Sequence, residues 1–375
     1  MQQNVIASFI ILHLAIVTNL CYCQYVNVNV ERKLNLTSHA PKYNIEVSFR
    51  PVDSTTTPPY LIAIPTGVYQ KLAYINVSSN SNKIKTTKSS NVRPNGYEIL
   101  SVKYHDLLNI AQAKTQLRLH IEMIFTNVYE YLPKSIQQDE NQLVVYTSAR
   151  VFSSPYITEK QITTISLASH HIEEVSEDTN IEINGDTLTY GPYYNVKPYI
   201  DGYNSNGEKD TISAIDNKAS EETMYNIPVR LHFENNNPSI YSRNIETEIT
   251  IGSTTTARVK TFVEIENHGA TLYGGFSRLD YQMRRLDYVG PSFQQLRFQL
   301  LKSFCNLKCN DDIGNLTKAY IDYNTSSLML DTRYPIFGGW KSDFTVTYDI
   351  QLLTEIIDFS DYNNYRNKKQ LKIKF

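Results

Sequence analysis

The densest group of side chains able to do chemistry is His170-His171-Ile172-Glu173-Glu174. Imidazoles and carboxylates are the groups that bind zinc and move protons. On a strand, however, adjacent side chains point to opposite faces, so these four cannot converge on one ion. The spacing reads as a solvated strand end. Other catalytic signatures are missing: the sequence has no G-x-S-x-G elbow, no H-E-x-x-H helix and no Walker-type glycine loop. Carboxylates are plentiful, but spacing alone singles out no acid–base pair. The residues point to no catalytic group, metal or cofactor.

The cysteines and sequons carry a different message. Val5 to Leu20 is almost uninterrupted apolar sequence, and no Asp, Glu, Lys or Arg precedes Glu31. It is shorter than the roughly 20 residues a bilayer span needs. Cys21-Tyr22-Cys23 follows, with small residues where a signal peptidase reads, so residues 1–23 are expected to be a secretory signal. Removing it leaves Cys305 and Cys309. In an oxidising lumen this C-x₃-C pair can close a small loop if the Cα atoms lie within about 7 Å; two free thiols is the alternative. Entry into the lumen also gives meaning to four sequons, at Asn35, Asn76, Asn315 and Asn324, each a candidate glycan acceptor on the surface.

These groups must be positioned by β structure. Of 375 residues 28 are Tyr, and Tyr, Thr, Ile and Val favour pleated, half-buried surfaces. Tyr43 to Arg50 alternates apolar and polar residues, as do Leu117 to Met123, Val229 to Glu234, Asn244 to Ile251, Val259 to Glu266 and Phe344 to Ile350. Such alternation marks strands with one face on a core and the other in water. Helical spacing is scarce; Tyr97 to Ala113 and Phe293 to Phe304 are the better candidates. Residues 201–223 are polar and rich in turn formers, which predicts a linker between domains at 24–200 and 224–375. The fold class is therefore mostly β, with two tandem β-sandwich-like domains. Ser78 to Asn95 reads as a loop. Lys and Arg total 36 against 38 Asp and Glu, a net charge of −2, which excludes the basic footprint of a nucleic-acid binder.

Particular segments of the second half resemble a known family. Asn267-His268-Gly269-Ala270, followed by Gly275-Phe276-Ser277-Arg278-Leu279-Asp280-Tyr281-Gln282, resembles the "HTGA…GPFSRYDYQ" segment of the ribophorin I family. Asp312-Ile313-Gly314-Asn315-Leu316-Thr317 is similar to its "DEIGNVS", and Arg333-Tyr334-Pro335-Ile336-Phe337-Gly338-Gly339-Trp340-Lys341 to its "RFPLFGGWK". Looser likenesses lie upstream, and the set keeps its order across about residues 30 to 375.

The resemblance implies a non-catalytic subunit of the endoplasmic reticulum oligosaccharyltransferase complex. That complex moves a preassembled glycan from dolichyl diphosphate to Asn-x-Ser/Thr in nascent chains. The implied partners are the catalytic and other subunits and the polypeptide substrate. The implied role of the lumenal part is to hold that substrate near an active site belonging to another subunit. Gly269, Phe276, Arg278, Asp280, Tyr281, Pro335, Gly338, Gly339 and Trp340 are then structural or interface positions. Arg278 and Asp280, two apart, would share a face on a strand and form a buried pair.

One departure from the family qualifies this. The family continues past Phe375 with further strands and a membrane anchor, so the second domain is expected to be incomplete and to expose an unpaired strand edge. Its final residues, Leu371-Lys372-Ile373-Lys374-Phe375, alternate as a half-exposed strand does. The alternative function is a secreted or lumenal β-sandwich binding protein without enzyme partners.

Overall fold

The computed structural model describes residues 25–52, 59–79, 82–88, 96–103, 117–178, 180–198, 228–252, 256–284, 290–301 and 303–351. The expected signal (1–23), the polar stretch 201–223 and the alternating end 371–375 lie outside them. The chain falls into two compact units, Met1–Glu130 with Leu143–Asn235 and Tyr131–Gln142 with Asn236–Phe375. The division differs from the one read from polarity. Pro228–Glu234, expected in the second domain, pairs antiparallel with Leu143–Ala149 inside the first unit. Strand pairing is non-local, and a polar stretch carries no information about it.

The first unit is built on an eight-stranded sheet whose central strands are Thr158–Ser166, Tyr25–Asn35, Lys42–Pro51 and Leu117–Phe125. The expected alternation appears directly: Tyr43, Ile45, Val47 and Phe49 are all buried. A three-stranded sheet (Tyr60–Pro65, Tyr97–Val102, Thr86–Lys88) packs on this face through Tyr60, whose ring lies 4.3 Å from Phe49 and 5.6 Å from Tyr25. A four-stranded sheet meets it where the Tyr43 and Tyr146 hydroxyls hydrogen-bond. Arg32, also buried, donates to the carbonyls of Ala149 and Arg150 at 3.2 and 3.1 Å, and burial lowers its pKa.

The second unit is a sandwich. A five-stranded sheet runs in the order Ile240–Ile251, Thr256–Asn267, Lys341–Gln351, Phe304–Asp311, Gly314–Asn315. A three-stranded sheet of Phe293–Gln299, Ser327–Ile336 and Ala319–Asp322 covers it. Between them lie Val259, Val263 and Ile265 from the second strand, Phe344, Val346 and Ile350 from the third, and Leu328 and Leu330 from the facing sheet. Fully burying such a side chain contributes about 1.5–3 kcal/mol, so alternation on three long strands supplies most of the driving force.

Both helical expectations are corrected. Tyr97–Val102 and Phe293–Gln299 are strands, and 104–113 lies outside the described residues. Short apolar runs fit either period, and here long-range pairing decides: Tyr60–Pro65 takes the first and Ser327–Ile336 the second. The expected loop after Ser78 holds two short strands, Asn82–Ile84 and Thr86–Lys88. Among the described residues no helix is long and apolar enough to cross a membrane.

Candidate functional site

The segments carrying the family motifs converge within the second unit. Asn267-His268-Gly269-Ala270 ends one long strand, and Phe337-Gly338-Gly339-Trp340 joins two others. Their backbones interlock. Gly339 N donates to Asn267 O at 2.7 Å, Asn267 N to Trp340 O at 3.0 Å, and Leu272 N to Gly338 O at 3.1 Å. The approach requires glycine: a Cβ on Gly338 would stand 1.8 Å from Ala270 O, and Gly339 has φ +78°. A Cβ on Gly269 would lie 2.5 Å from Gln142 Oε1, the oxygen that accepts from Ala270 N at 2.8 Å.

The centre of this latch is the fully buried carboxamide of Asn267. Its Nδ2 donates to Pro291 O at 2.9 Å and Ile336 O at 3.0 Å. Its Oδ1 accepts from Gly269 N at 3.0 Å and Ser239 N at 3.1 Å. One side chain thus satisfies four backbone groups from four segments, at a depth where unmet polar groups are costly. Gln138 does similar work nearby, donating from Nε2 to Ser277 O at 3.1 Å and accepting Ser277 N on Oε1 at 2.8 Å.

The latch holds an aromatic wall. Trp340 has Phe276, Phe337 and Tyr334 around it, with ring centroids 5.7, 5.5 and 5.9 Å away in edge-on or tilted arrangements. Tyr281 packs edge-on to Phe276 at 6.0 Å. Trp340, Phe276, Tyr334 and Tyr281 border a cleft of about 610 Å³, whose other lining residues include Pro335, Gln294, Lys318, Arg278 and Arg333. Pro335 lies where the sheet loses register: Phe293 faces Ile336 but Gln295 faces Asp331. Such a bulge is one of the few places a strand tolerates proline. Arg333 is anchored by Asp311, with Nε 2.5 Å and Nη2 2.8 Å from its carboxylate oxygens, and that guanidinium holds the Asp311 pKa down.

Three other expectations meet the structure differently. Arg278 and Asp280 lie on a short helix, Arg278–Arg284, and both are exposed. Residues two apart on a helix point about 200° apart, so they form no shared face and no buried pair. The strand reading fails because the segment has no strand partner. Cys305 and Cys309 are free, one exposed and one buried, on the strand Phe304–Asp311. Four residues of strand separate Cα atoms by roughly 13 Å, beyond disulfide reach, and burial pushes the Cys309 thiol up to about 11. In the histidine cluster, His171 lies 3.1 Å from Glu173 and 3.1 Å from Glu234, while Glu174 pairs with Arg230. Glu234 comes from a distant strand that spacing alone does not reveal. Among the described residues no group of three or more His, Cys, Asp or Glu is placed to hold a metal ion.

Of the sequons, Asn35, Asn315 and Asn324 are exposed. Asn35 Oδ1 accepts both the backbone N and the hydroxyl of Thr37, at 2.9 and 2.7 Å. Asn76 is half-buried, and its Oδ1 is enclosed without a hydrogen-bond partner.

A second feature is the outer strand Ile240–Ile251. Its inner edge pairs along its length with Thr256–Asn267, and no described strand pairs with its outer edge. Ile245, Ile249 and Ile251 lie opposite Val263, Val259 and Ala257, so they continue the core face of the sheet. The facing layer does not cover them fully: Ile245 is 61% and Ile251 53% exposed.

Residues 25–375 match the family model described as Ribophorin I. The chain belongs to the ribophorin I family. Ribophorin I relatives align along most of it. One is the dolichyl-diphosphooligosaccharide–protein glycosyltransferase subunit 1A of Arabidopsis thaliana, 26% identical over 381 residues, covering 98% of this chain and 57% of the relative. Subunit 1 of Caenorhabditis elegans is 27% identical over 352 residues, covering 92% of this chain and 54% of the relative. The chain therefore spans just over half the length of these two relatives. Overlap with solved structures is loose. Native leukotriene A4 hydrolase from Saccharomyces cerevisiae gives a TM-score of 0.33 at 8% identity, over 60% of this chain and 30% of that one. At that level neither fold nor activity carries over.

Proposed function

We propose that this chain is an accessory, non-catalytic subunit of the endoplasmic reticulum oligosaccharyltransferase complex, and that it holds nascent polypeptide for the catalytic subunit. The complex is the one named for the ribophorin I relatives. The observation that carries the holding role is the open edge of Ile240–Ile251, twelve residues of strand with an unpaired outer side among the described residues. A strand edge recognises an extended chain through main-chain hydrogen bonds, which every residue but proline supplies. A subunit serving many unrelated substrates needs that indifference to side chains. The exposed Ile245 and Ile251 add apolar contact on alternate positions, as an added strand requires.

Microsomes carrying a photocross-linker at Ile245 provide the test. Capture of this chain in mild detergent is expected to recover the catalytic subunit, and irradiation during translation to join position 245 to nascent chains. Recovery of the chain without other subunits would refute the complex and favour a free lumenal binding protein. Recovery of the complex with no nascent-chain adduct would refute the holding role alone.

A further inference from the structure

The cleft beside Tyr334 opens where a strand outruns its neighbour. Ser327–Ile336 pairs with Ala319–Asp322 only from Ser327 to Leu330. The last contact on that side is Asp331 N donating to Lys318 O at 3.0 Å. Beyond that point Asn315 to Lys318 line the cleft, together with Arg278 and Gln282 from the short helix. On the other side the register jumps from Asp331 to Ile336, and Gln294 caps the bulge. Gln294 Nε2 donates to Thr332 O at 3.3 Å, and Gln294 O lies 3.2 Å from Thr332 Oγ1, which donates to Tyr334 O at 2.7 Å. Backbone groups along a strand point alternately to its two sides. Those of Thr332 are taken up towards Gln294, so the N–H and C=O of Arg333 point with those of Asp331 to the cleft. Neither neighbouring strand is registered with Arg333, and the residue is exposed.

We infer that this cleft receives an extended, acidic segment of a neighbouring subunit, which adds a short strand to the free edge at Arg333. A residue laid opposite Arg333 can exchange both main-chain hydrogen bonds with it. The charge of the lining selects the segment. It holds three cations, Arg278, Lys318 and Arg333, against one carboxylate, Asp331. Arg333 is neutralised by Asp311, and Asp331 Oδ1 accepts from Gln295 Nε2 at 3.0 Å. Arg278 and Lys318 are exposed and form no ion pair among the described residues. Asp or Glu on an incoming strand therefore meets two uncommitted cations. The volume of about 610 Å³ is that of a small-ligand site, so a few residues enter rather than a domain.

The occupant is a fixed partner rather than nascent chain for a physical reason. A site that demands acidic residues would reject most of a varied set of substrates, whereas a subunit presents the same segment every time. Complementary charge also sets register and discourages wrong partners. The inference rests on membership of the complex proposed above, and not on the holding role of Ile240–Ile251.

The experiment uses microsomes carrying the full chain with a photocross-linker at Gln282, an exposed lining residue. Nascent chains are first released with puromycin. Irradiation is expected to join position 282 to another subunit, at a segment that mass spectrometry maps beside Asp or Glu. Arg278→Glu combined with Lys318→Glu should lower the yield about tenfold or more, because each exposed pair is worth up to about fivefold and reversal adds repulsion. Lys260→Glu, exposed and outside the cleft, should leave the yield unchanged. A synthetic copy of the mapped segment should compete for the site. Methylating the one backbone amide that meets Arg333 should abolish that competition, while methylation at the next amide is tolerated. A mapped segment without acidic residues, a yield unmoved by the charge reversals, competition indifferent to amide methylation, or an adduct that disappears with the nascent chains would each overturn the inference. If capture of the chain recovers the other subunits but no adduct forms at position 282, the cleft assignment alone fails. If capture recovers no other subunit, the complex fails and this inference with it.

Discussion

Replacing Asn267 with alanine tests the claim that one carboxamide holds the motif segments together. The side chain is fully buried and meets the N–H groups of Gly269 and Ser239 and the carbonyls of Pro291 and Ile336. Alanine supplies neither donor nor acceptor. Leaving a buried polar group unmet costs roughly 1–3 kcal/mol, so the low end over four groups gives about 4 kcal/mol. Native domains hold only about 5–15 kcal/mol in all. For a unit of this size the loss lowers Tm by roughly 8–16 °C. Urea unfolding followed by tryptophan emission is the natural assay, because Trp340 O accepts directly from Asn267 N and Trp340 is the sole tryptophan. The two units need not unfold together, and a probe in one of them avoids averaging over both. Asn267→Asp separates the contributions, since it keeps the acceptors but loses the donors and buries a charge. It should be at least as damaging as alanine. Asn324→Ala, at an exposed turn, should stay within about 0.5 kcal/mol of wild type. A loss below about 1 kcal/mol in Asn267→Ala, with unchanged emission, would refute the latch.

Two further outcomes follow from the same sandwich. Under native conditions a thiol alkylating agent should modify Cys305 and spare Cys309, which is buried with its thiol pKa pushed up to about 11; both should react after unfolding. Protection of both cysteines until a reductant is added would mean that a disulfide links them after all. Asp343 has its pKa raised, first by burial and then by its hydrogen bond and like charge with Asp312. A raised carboxyl favours the fold while protonated, and that contribution is lost as pH climbs through the raised value. Asp343→Asn should therefore be more stable than wild type at neutral pH, with the gap closing below the ordinary carboxylate range. A gap that widens on acidification would reverse the assignment.

Sequence alone determined the strands and their faces. Tyr43, Ile45, Val47 and Phe49 are buried where alternation placed them, as are Leu117, Leu119, Ile121 and Met123. The pattern is legible because the side-chain period of a strand is a property of the local backbone. The ordered motifs gave the family for a related reason: Gly338 and Gly339 leave a mark in sequence because no other residue fits their positions. Legibility ended where a contact joins distant segments. Phe293–Gln299 has a spacing that a helix also satisfies, and only its pairing with Ser327–Ile336 makes it a strand. Asn267 looks like any polar residue at a strand end; its role depends on Ser239, Pro291 and Ile336, 28, 24 and 69 positions away. Spacing gave Asn315 as a surface acceptor. That it borders a cleft with Trp340 and Phe276 required the two sheets to close over a common core, which brings those segments together. Tertiary structure decided these things because packing and hydrogen bonding act on distance in space, whereas sequence patterns record only the geometry of neighbours along the chain.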